Sequence, residues 1–579
     1  MNRFLIRSVV LGAAVAVLGG CEDTLIVQNP NQGETERVLS TPGDAENLLG
    51  SYYKRWSSGV YGSGNNLEGM GNIYALMSYS ALANNCQNSH APFSGATNFN
   101  SVGNLCQTEQ FRLYTILSEV NRVAMTFTSK LDGGFSFGSA ARDNRARAFA
   151  EFLNGISLGY LAMVHDSAGI VTATTGALDA GVLSGYTAVA DSSMAAFQRS
   201  LDAIAAGGTG LDGFPLPSTW IPSPTVWTAT EFTRLVRSYR ARVRASIART
   251  PAERAAVNWA AVIADAQNGI TANHNITTST TVGPGNSWRS TYGVFGLWHQ
   301  MPPFFIGMAD VSGSYAAWLA QPLGERGAGN VGFLMTTPDL RFPQGATRAA
   351  QQADHAITSC SVAATPCERY FVNRATAQDQ YAGLGFAWSN YDFARFHSWR
   401  TSGDGTQQNG ATPFMMLSEI RLLEAEGQYR LGNFAAAGAL VNLSRTAGMT
   451  TAAPIVATGG GLPAITVFNA TTPVPGTAGA TGTCIPKVPV APTASTVTCG
   501  NLWEALKYEK RLETAFTHYM PWFFDGRGWG DLPRDTPLYW AVPYQDLQAR
   551  GRSIAQVYGA GIGSGNAPNS VAATSVYGW

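Results

Sequence analysis

Two helical segments joined by a short turn limit this chain to a small number of folds. Phe414 to Leu431 and Phe434 to Arg445 have helical apolar periodicity, and Gly432-Asn433 between them has the residue types that end one helix and begin the next. The first segment is apolar on two sides, through Met416, Ile420, Leu423 and Gly427 on one and Leu422, Ala425 and Tyr429 on the other. A helix with two apolar sides packs against neighbours on both, which is typical of arrays of helical pairs.

Further helical segments occur along the rest of the chain. The pair at 414–445 is close in length to the roughly 34 residues of a tetratricopeptide unit. Two earlier pairs, 145–164 with 191–205 and 230–248 with 257–269, are candidates for degenerate units of the same kind. Other helices are predicted at 41–56, with Thr41-Pro42 as its start, at 111–128 and at 502–516. This pattern favours an array of helix pairs.

Two stretches interrupt the helical pattern. Residues 270–410 are dense in Gly, Pro, Asn and aromatic residues, and long loops of this kind inside a compact domain usually carry function. Residues 449–500 are rich in Thr, Ala, Gly and Pro, with Lys487 as their only charge. This composition predicts an extended or hairpin-like surface insertion. We interpret 41–579 as a single domain that contains both stretches.

The N-terminus has the pattern of a lipoprotein signal peptide. Arg3 and Arg7 precede an apolar run too short to span a bilayer, and Leu18-Gly19-Gly20-Cys21 resembles a lipobox. Residues 1–20 would be removed, Cys21 would carry the lipid, and 21–40 would form a polar tether. The alternative is an ordinary secretory signal followed by a chance cysteine. Glu22 and Asp23 resemble a surface-export signal, although in some systems an acidic residue at this point means inner-membrane retention.

Charge and cysteine content narrow the functional classes further. The formal net charge is zero, so there is no electrostatic footprint for nucleic acid. Six cysteines remain after Cys21, and an even number in an exported chain implies disulfides. Fifteen connectivities are possible, and pairing of sequence neighbours is the simplest: Cys86 with Cys106, Cys360 with Cys367, and Cys484 with Cys499. No pair has zinc-site spacing, so we predict no metal and no cofactor.

The sequence contains no coherent catalytic constellation. Gly155-Ile156-Ser157-Leu158-Gly159 matches a nucleophile elbow, but it lies within a helical stripe rather than between a strand and a helix. His165-Asp166-Ser167 is a polar helix end rather than a triad, because triads assemble in space. Glu504, Glu509 and Glu513 share one helix face, where we expect them to be solvated or paired with Arg511. These observations favour a binding protein over an enzyme.

The order of several motifs resembles the SusD/RagB family of outer-membrane nutrient-binding lipoproteins over nearly the whole mature chain. The N-terminal likeness is Val27-Gln28-Asn29-Pro30 followed by Ala45 to Tyr52, and 145–164 is similar to a conserved helix of the family. Asp339-Leu340-Arg341 resembles a short "D-P-R" segment. The strongest match is Leu417 to Glu426, continuing to Arg445-Thr446-Ala447-Gly448. Tyr508 to Glu513 resembles "E-R-R-x-E-L", and Phe523-Phe524-Asp525 with Arg527-Gly528-Trp529-Gly530 resembles "F-D-L-x-R-W-G".

Two features depart from this pattern. Thr517-His518-Tyr519-Met520 replaces the "E-G-x-R" step, and the spacing to Asp525 is about two residues longer. These changes affect the expected geometry of that turn. The insertion at 449–500 is also unusual.

The resemblance implies an all-α fold of tetratricopeptide-like helix pairs, with long irregular loops and minor β structure in insertions. It also implies a lipid-anchored outer-membrane protein that faces the cell surface. It implies a partner, a SusC-like TonB-dependent transporter, over which the lipoprotein would act as a lid. It implies capture of an oligosaccharide, or in some members a peptide, without bond making or breaking.

A neutral sugar is held by aromatic faces and by amide or charged hydrogen-bonding groups, so the aromatic loops are where we expect ligand contacts. Residues 57–105 are rich in Gly, Asn, Ser and Tyr, and this composition predicts a second loop region with short helices. We expect two or three true contacts among Trp288, Tyr292, Trp298, Trp318, Trp388, Tyr391 and Trp399 in 270–410, and Tyr61, Asn65 and Asn66 in 57–105. For each aromatic residue taken alone, loop packing is the competing interpretation. Two other functional classes stay open: a surface glycosidase, which needs two carboxyl groups in one cleft, and a scaffold that binds no ligand.

Overall fold

The protein is described by a computed structural model. It describes residues 41–61, 67–78, 100, 108–176, 179–207, 212–278, 301–322, 333–354, 369–373, 389–395, 410–450, 457–476, 484–491, 494–517, 519–533 and 536–552. The described residues divide between two compact units, 41–48 and 49–552. In the first unit, 41–48 are described; there Thr41 Oγ1 accepts a hydrogen bond from the Asp44 N–H at 3.2 Å, so Thr41 caps the helix start as predicted.

Helices dominate the described residues, as the predicted fold class requires. The sixteen helices are α1 Pro42–Tyr61, α2 Leu67–Tyr74, α3 Thr108–Asp132, α4 Ala140–Val164, α5 Tyr186–Ala206, α6 Ala229–Ser246, α7 Pro251–Ala255, α8 Trp259–Gln267, α9 Pro303–Ile306, α10 Ser314–Leu319, α11 Arg348–Asp354, α12 Leu417–Arg430, α13 Phe434–Arg445, α14 Leu502–Thr514, α15 Pro521–Trp529 and α16 Tyr544–Ala549. Within the described ranges, no helix is long and apolar enough to cross a bilayer.

The β structure is minor. Four two-stranded antiparallel sheets pair β1 Ser167–Ile170 with β2 Val182–Gly185, β3 His274–Thr278 with β6 Gly410–Met415, β4 Phe371–Asn373 with β5 Tyr391–Phe393, and β7 Lys487–Pro489 with β8 Val497–Cys499. The last pair lies in the insertion at 449–500, where a disulfide joins Cys484 to Cys499 across a Cα–Cα distance of 5.6 Å. The hairpin and this disulfide agree with the predicted hairpin-like form and the predicted Cys484–Cys499 pair. The segment is not a surface insertion throughout, because Ile465, Val474, Ile485 and Val488 are buried in hydrophobic clusters. Cys86, Cys106, Cys360 and Cys367 lie outside the described residues.

Helix α4 is the central helix of the group formed by α3, α4 and α5. It is buried along most of its length and packs between α3 and α5. A Cβ atom at Gly155 would come within 2.8 Å of Phe197 in α5, and one at Gly159 within 2.8 Å of Val243 in α6. The two glycines therefore allow close helix packing, and Ser157 between them is an ordinary buried helix residue rather than a nucleophile.

The predicted pair at 414–445 is present as α12 and α13, with one boundary changed. The helix begins at Leu417 rather than Phe414, because Gly410–Met415 pairs with β3 as a strand. Gly432 closes the turn with φ of +81°, a conformation that favours glycine. Asn433 occupies the cap position, but its side-chain amide donates to Gln428 rather than capping the helix. The predicted pair at 230–248 and 257–269 is interrupted by the short helix α7, whose first turn is capped by the Thr250 hydroxyl, which accepts from the Glu253 N–H at 3.2 Å.

Candidate ligand-binding site

The described part of the loop region 270–410 is organised around one cluster of buried aromatic and aliphatic side chains, which we call the anchoring cluster. Its aromatic members include Phe304, Phe305, Tyr315, Trp318, Phe333, Phe342, Tyr370, Phe371, Tyr391, Phe393, Tyr508, Phe516 and Trp522. Residues from α9, α10, β4, β5, α14 and α15 contribute to it. The described ranges within 270–410 therefore share one hydrophobic core with α14 and α15.

Two described ranges of this region, which begin at Met301 and at Ser389, are hydrogen-bonded to each other at the cluster. Met301, which follows 279–300, donates its backbone N–H to the Tyr391 carbonyl at 3.2 Å, and the Ser389 hydroxyl donates to the Met301 carbonyl. Ser389 follows 374–388 in the chain. The segment that carries Trp288, Tyr292 and Trp298 and the segment that carries Trp388 are thus attached to adjacent points of the scaffold.

Two of the expected ligand contacts belong to the scaffold itself. The Trp318 side chain is buried, with its ring 4.8 Å from the Phe304 ring. Tyr391 is fully buried; its hydroxyl donates to Gln351 Oε1 at 2.7 Å and accepts from the Met335 N–H at 3.1 Å. Burial raises the pKa of Tyr391 to about 12, so its hydroxyl stays a neutral donor.

Tyr61 is also buried, and it lies in a helix rather than in the predicted loop, because α1 continues to Tyr61. Its ring packs 4.2 Å from the Phe414 ring. For Tyr61, Trp318 and Tyr391 the structure thus gives packing roles, the competing interpretation raised above. The other expected contacts, Trp288, Tyr292, Trp298, Trp388, Trp399, Asn65 and Asn66, lie outside the described residues.

A network of buried charges ties the anchoring cluster to α14. Arg341 is fully buried; its guanidinium donates to Asp339 Oδ1 at 2.9 Å and to Glu509 Oε2 at 2.7 Å. The Tyr508 hydroxyl donates to Asp339 Oδ2 at 2.8 Å. Because ionised groups this deep in the protein need partners of opposite charge, these contacts fix the 339–341 segment on α14.

The same helix also holds strands β4 and β5. Glu513 accepts a hydrogen bond from the Tyr370 hydroxyl at 3.1 Å and one from the Arg395 guanidinium at 3.2 Å. Arg395 also lies 3.8 Å over the Tyr370 ring. Burial raises the pKa of Tyr370, which keeps its hydroxyl protonated as the donor. Tyr370 and Arg395 flank the loops, and no sequence pattern pointed to them.

The prediction that the α14 carboxylates are solvated or paired with Arg511 is wrong. Glu509 and Glu513 are buried and bound by Arg341 and Arg395, whereas Arg511 pairs with Asp531 at 2.8 Å. Glu504 pairs with Lys507 at 3.0 Å. These carboxylates hold the fold together and do not form an open pair in a cleft. Within the described ranges, no group of His, Cys, Asp and Glu side chains could hold a metal ion.

The remaining sequence motif with a catalytic look is also structural. His165 ends α4 and is fully buried, with Nδ1 3.0 Å from the Ala541 carbonyl. Burial, together with the nearby Arg249, lowers the pKa of His165 to about 4, so the ring is neutral at pH 7. The polar helix end predicted for 165–167 matches this arrangement.

Comparison with known proteins gives a result at the level of structure. No protein-family model matches the chain, and no curated protein matches it. A solved SusD superfamily protein from Parabacteroides distasonis has 12% sequence identity and a TM-score of 0.53, over 88% of this chain and 97% of that one. A second, from Bacteroides thetaiotaomicron, has 13% identity and a TM-score of 0.49, over 88% and 96%. A SusD-like protein from Bacteroides fragilis has 13% identity and a TM-score of 0.45, over 86% and 87%.

Proposed function

We propose that this chain, which has the SusD fold, is a non-catalytic cell-surface lipoprotein that captures oligosaccharides for a SusC-like TonB-dependent outer-membrane transporter. The observation that carries the proposal is the fold: the likeness to the Parabacteroides protein extends over almost the whole of both chains. The lipobox ending at Cys21 independently supports attachment to a membrane without a spanning helix. The neighbouring Glu22 and Asp23 support the cell surface once the fold is considered.

The anchoring cluster supports a ligand site in the loops that it holds. A binding site needs a rigid scaffold beneath its contact residues, because ordering loops on binding costs free energy. Here buried rings and buried ion pairs supply that rigidity, and the loops attached to them carry Trp288, Trp298 and Trp388. Aromatic faces of this kind suit the C–H surfaces of sugar rings.

Calorimetry tests the ligand class. The protein without residues 1–21 is titrated with a broad panel of oligosaccharides and peptides. We expect at least one glycan to bind, and Trp288→Ala, Trp298→Ala or Trp388→Ala to weaken binding by about tenfold or more, since a stacked aromatic anchor contributes on the order of 1–2 kcal/mol. The matched Trp→Phe variant, which keeps a ring face, should retain most of the affinity.

The control is an aromatic residue outside the loop region. Phe468 lies in the insertion and is 37% exposed, so Phe468→Ala should leave glycan binding unchanged. Binding of peptides but of no glycan would replace the sugar with a peptide in the same role. Binding of neither, with copurification of a transporter barrel, would favour a scaffold that grips no ligand.

The anchor and the partner need a separate test in cells. Wild-type protein should incorporate labelled palmitate, sit in the outer membrane and be cleaved by protease added to intact cells, whereas Cys21→Ser should lose the label and the membrane fraction. Affinity purification of the wild-type protein from detergent-solubilised outer membranes should recover a TonB-dependent transporter. Retention of Cys21→Ser on the membrane, or protection from external protease, would contradict this localisation.

A further inference from the structure

A cavity of about 370 Å³ opens between helices α3, α4 and α5, in a part of the chain that carries none of the aromatic loops. Its floor lies on α4 and its walls on the two flanking helices. Glu151, Asn154 and Leu158 line the floor, Met125 of α3 lines one wall, and Ala195 and Arg199 of α5 line the other. The volume is at the lower end of the range for small-molecule sites.

The floor presents a buried carboxylate with one oxygen unused. The Glu151 side chain is only 3% exposed, and its Oε2 accepts from the Arg199 guanidinium at 2.9 Å and from the Asn154 amide at 3.2 Å. Glu151 Oε1 accepts no hydrogen bond from any described residue, although Glu151 lines the cavity. Because Oε1 is not fully shielded from solvent, a hydrogen-bond donor that enters the cavity can reach it.

The charges around the cavity cancel. Arg199 is paired with Glu151, and at the mouth Arg147 is paired with Asp132 at 2.8 Å. A cationic ligand would face two guanidinium groups and an anionic ligand two carboxylates, each at a desolvation cost. The site therefore favours a neutral ligand with several hydrogen-bonding groups.

One side of the cavity is apolar. Met125, Leu158 and Val171 form the buried base of this side, and Ile170, which is partly exposed, supplies accessible apolar surface above them. A ligand with a C–H face can cover these side chains while its polar groups meet Glu151 and Arg199. The cavity thus combines a charged hydrogen-bonding edge with an apolar face.

We propose that this cavity is a separate binding site for one neutral polyhydroxylated ring, with the chemistry of a hexose. A ligand hydroxyl donates to Glu151 Oε1, a second accepts from the Arg199 guanidinium, and the C–H face of the ring lies on Ile170. The site is independent of the aromatic loops, so it stands or falls separately from the proposed function.

Ligand-observed NMR and calorimetry with D-glucose, D-galactose and D-mannose test the proposal, with D-glucuronate and D-glucosamine as charged comparators. Ala195→Trp fills the cavity mouth from an exposed position of α5, and Ala205→Trp places the same ring at an exposed position of that helix outside the cavity lining. We expect a neutral hexose to bind wild type and Ala205→Trp, to lose binding in Ala195→Trp, and to bind Glu151→Gln about tenfold or more weakly.

Three outcomes would overturn the proposal: no neutral hexose binds, binding is unchanged in Ala195→Trp, or a charged comparator binds better than every neutral hexose. Trp298→Ala separates this site from the loops. Loss of hexose binding in Trp298→Ala but not in Ala195→Trp assigns the sugar to the loops and also refutes the cavity site. Hexose binding that survives Trp298→Ala supports the cavity, whether or not longer glycans bind.

Discussion

Replacing Arg341 with methionine should destabilise the protein severely, because it leaves two buried carboxylates without their cation. Arg341 binds Asp339 through Nε and Nη2 at 2.9 and 2.8 Å and Glu509 through Nη1 at 2.7 Å, and all three side chains are fully buried. Methionine fills a similar volume and supplies none of these bonds. After the change, Glu509 has only Arg445 nearby, with Nη1 at 3.9 Å, and hydrogen bonds such as that from Ser444.

The expected loss follows from the cost of breaking buried pairs. Removing one partner of a buried ion pair costs about 3–5 kcal/mol. Arg341 serves two carboxylates at once, so we expect the upper end of that range, about 5 kcal/mol, reduced slightly by Arg445. A loss of this size is a large fraction of the roughly 5–15 kcal/mol by which domains are stable. Glycan binding should fall with it, because the segment at 339–341 holds the anchoring cluster on α14.

Urea unfolding of the protein without residues 1–21, followed by tryptophan fluorescence and far-UV circular dichroism, measures the loss. Arg55→Met is the matched control: Arg55 pairs with Glu119, and the two side chains are 44% and 36% exposed, so its loss should be below about 1 kcal/mol. The Arg341→Met/Glu509→Gln double variant should be less destabilised than the sum of its single variants. If Arg341→Met stays within about 1 kcal/mol of wild type, the network does not hold the fold.

Three further predictions concern the effect of local changes on the free energy of unfolding. Burial lowers the pKa of His165 from 6.5 to about 4, so as pH falls the unfolded chain is protonated at this residue before the folded protein is. The contribution of His165 to the free energy of unfolding should therefore be constant above pH 6.5 and fall by about 3 kcal/mol towards pH 4. In thermal unfolding, His165→Asn should flatten this dependence. Replacing Cys484 and Cys499 with serine should cost about 3 kcal/mol, and reducing the wild type should cost the same. Gly155→Ala should lower stability by about 1–3 kcal/mol because its Cβ would press on α5, while Gly185→Ala, which meets nothing within 4 Å, should not.

Apolar periodicity predicted the long helices because each buries a stripe that recurs every three or four residues. Helix α15 escaped prediction because Gly526 and Gly528 interrupt that pattern; the structure needs them, since a Cβ at Gly528 would lie 3.0 Å from Arg254 and one at Gly526 2.9 Å from Leu532. A glycine retained for close approach cannot be distinguished in the sequence from one that ends a helix.

The buried charges of α14 could not be predicted for a different reason. Hydrophilic residues on a helix normally indicate a solvated face, and Glu509 has no partner nearby in the chain. Its partner Arg341 is 168 positions away, so burial becomes visible only in three dimensions. The same limit explains Trp318 and Tyr391: loop composition marks aromatic residues as candidates for ligand contact but does not say which of them point inwards.

The turn at 517–520, which departs from the family pattern, has an unusual backbone conformation on both sides of His518. The glycine of the "E-G-x-R" step corresponds to His518, which lies outside the described residues. Around it, Phe516, Tyr519 and Met520 have positive φ, of 51°, 77° and 62°. Such backbone conformations cost on the order of 1–3 kcal/mol each and persist only where surrounding contacts enforce them.

Those contacts are present at each position. Phe516 stacks on Phe393 of β5 at 4.8 Å, and the Tyr519 hydroxyl donates to Glu419 of α12 at 2.9 Å. Met520 lies where a side chain at Gly71 would collide with it. Side-chain burial thus enforces a backbone that glycine would adopt freely, and the contacts that do so join the anchoring cluster to the helical pair α12–α13. The geometry of this turn is therefore part of what holds the loop scaffold against the helical array.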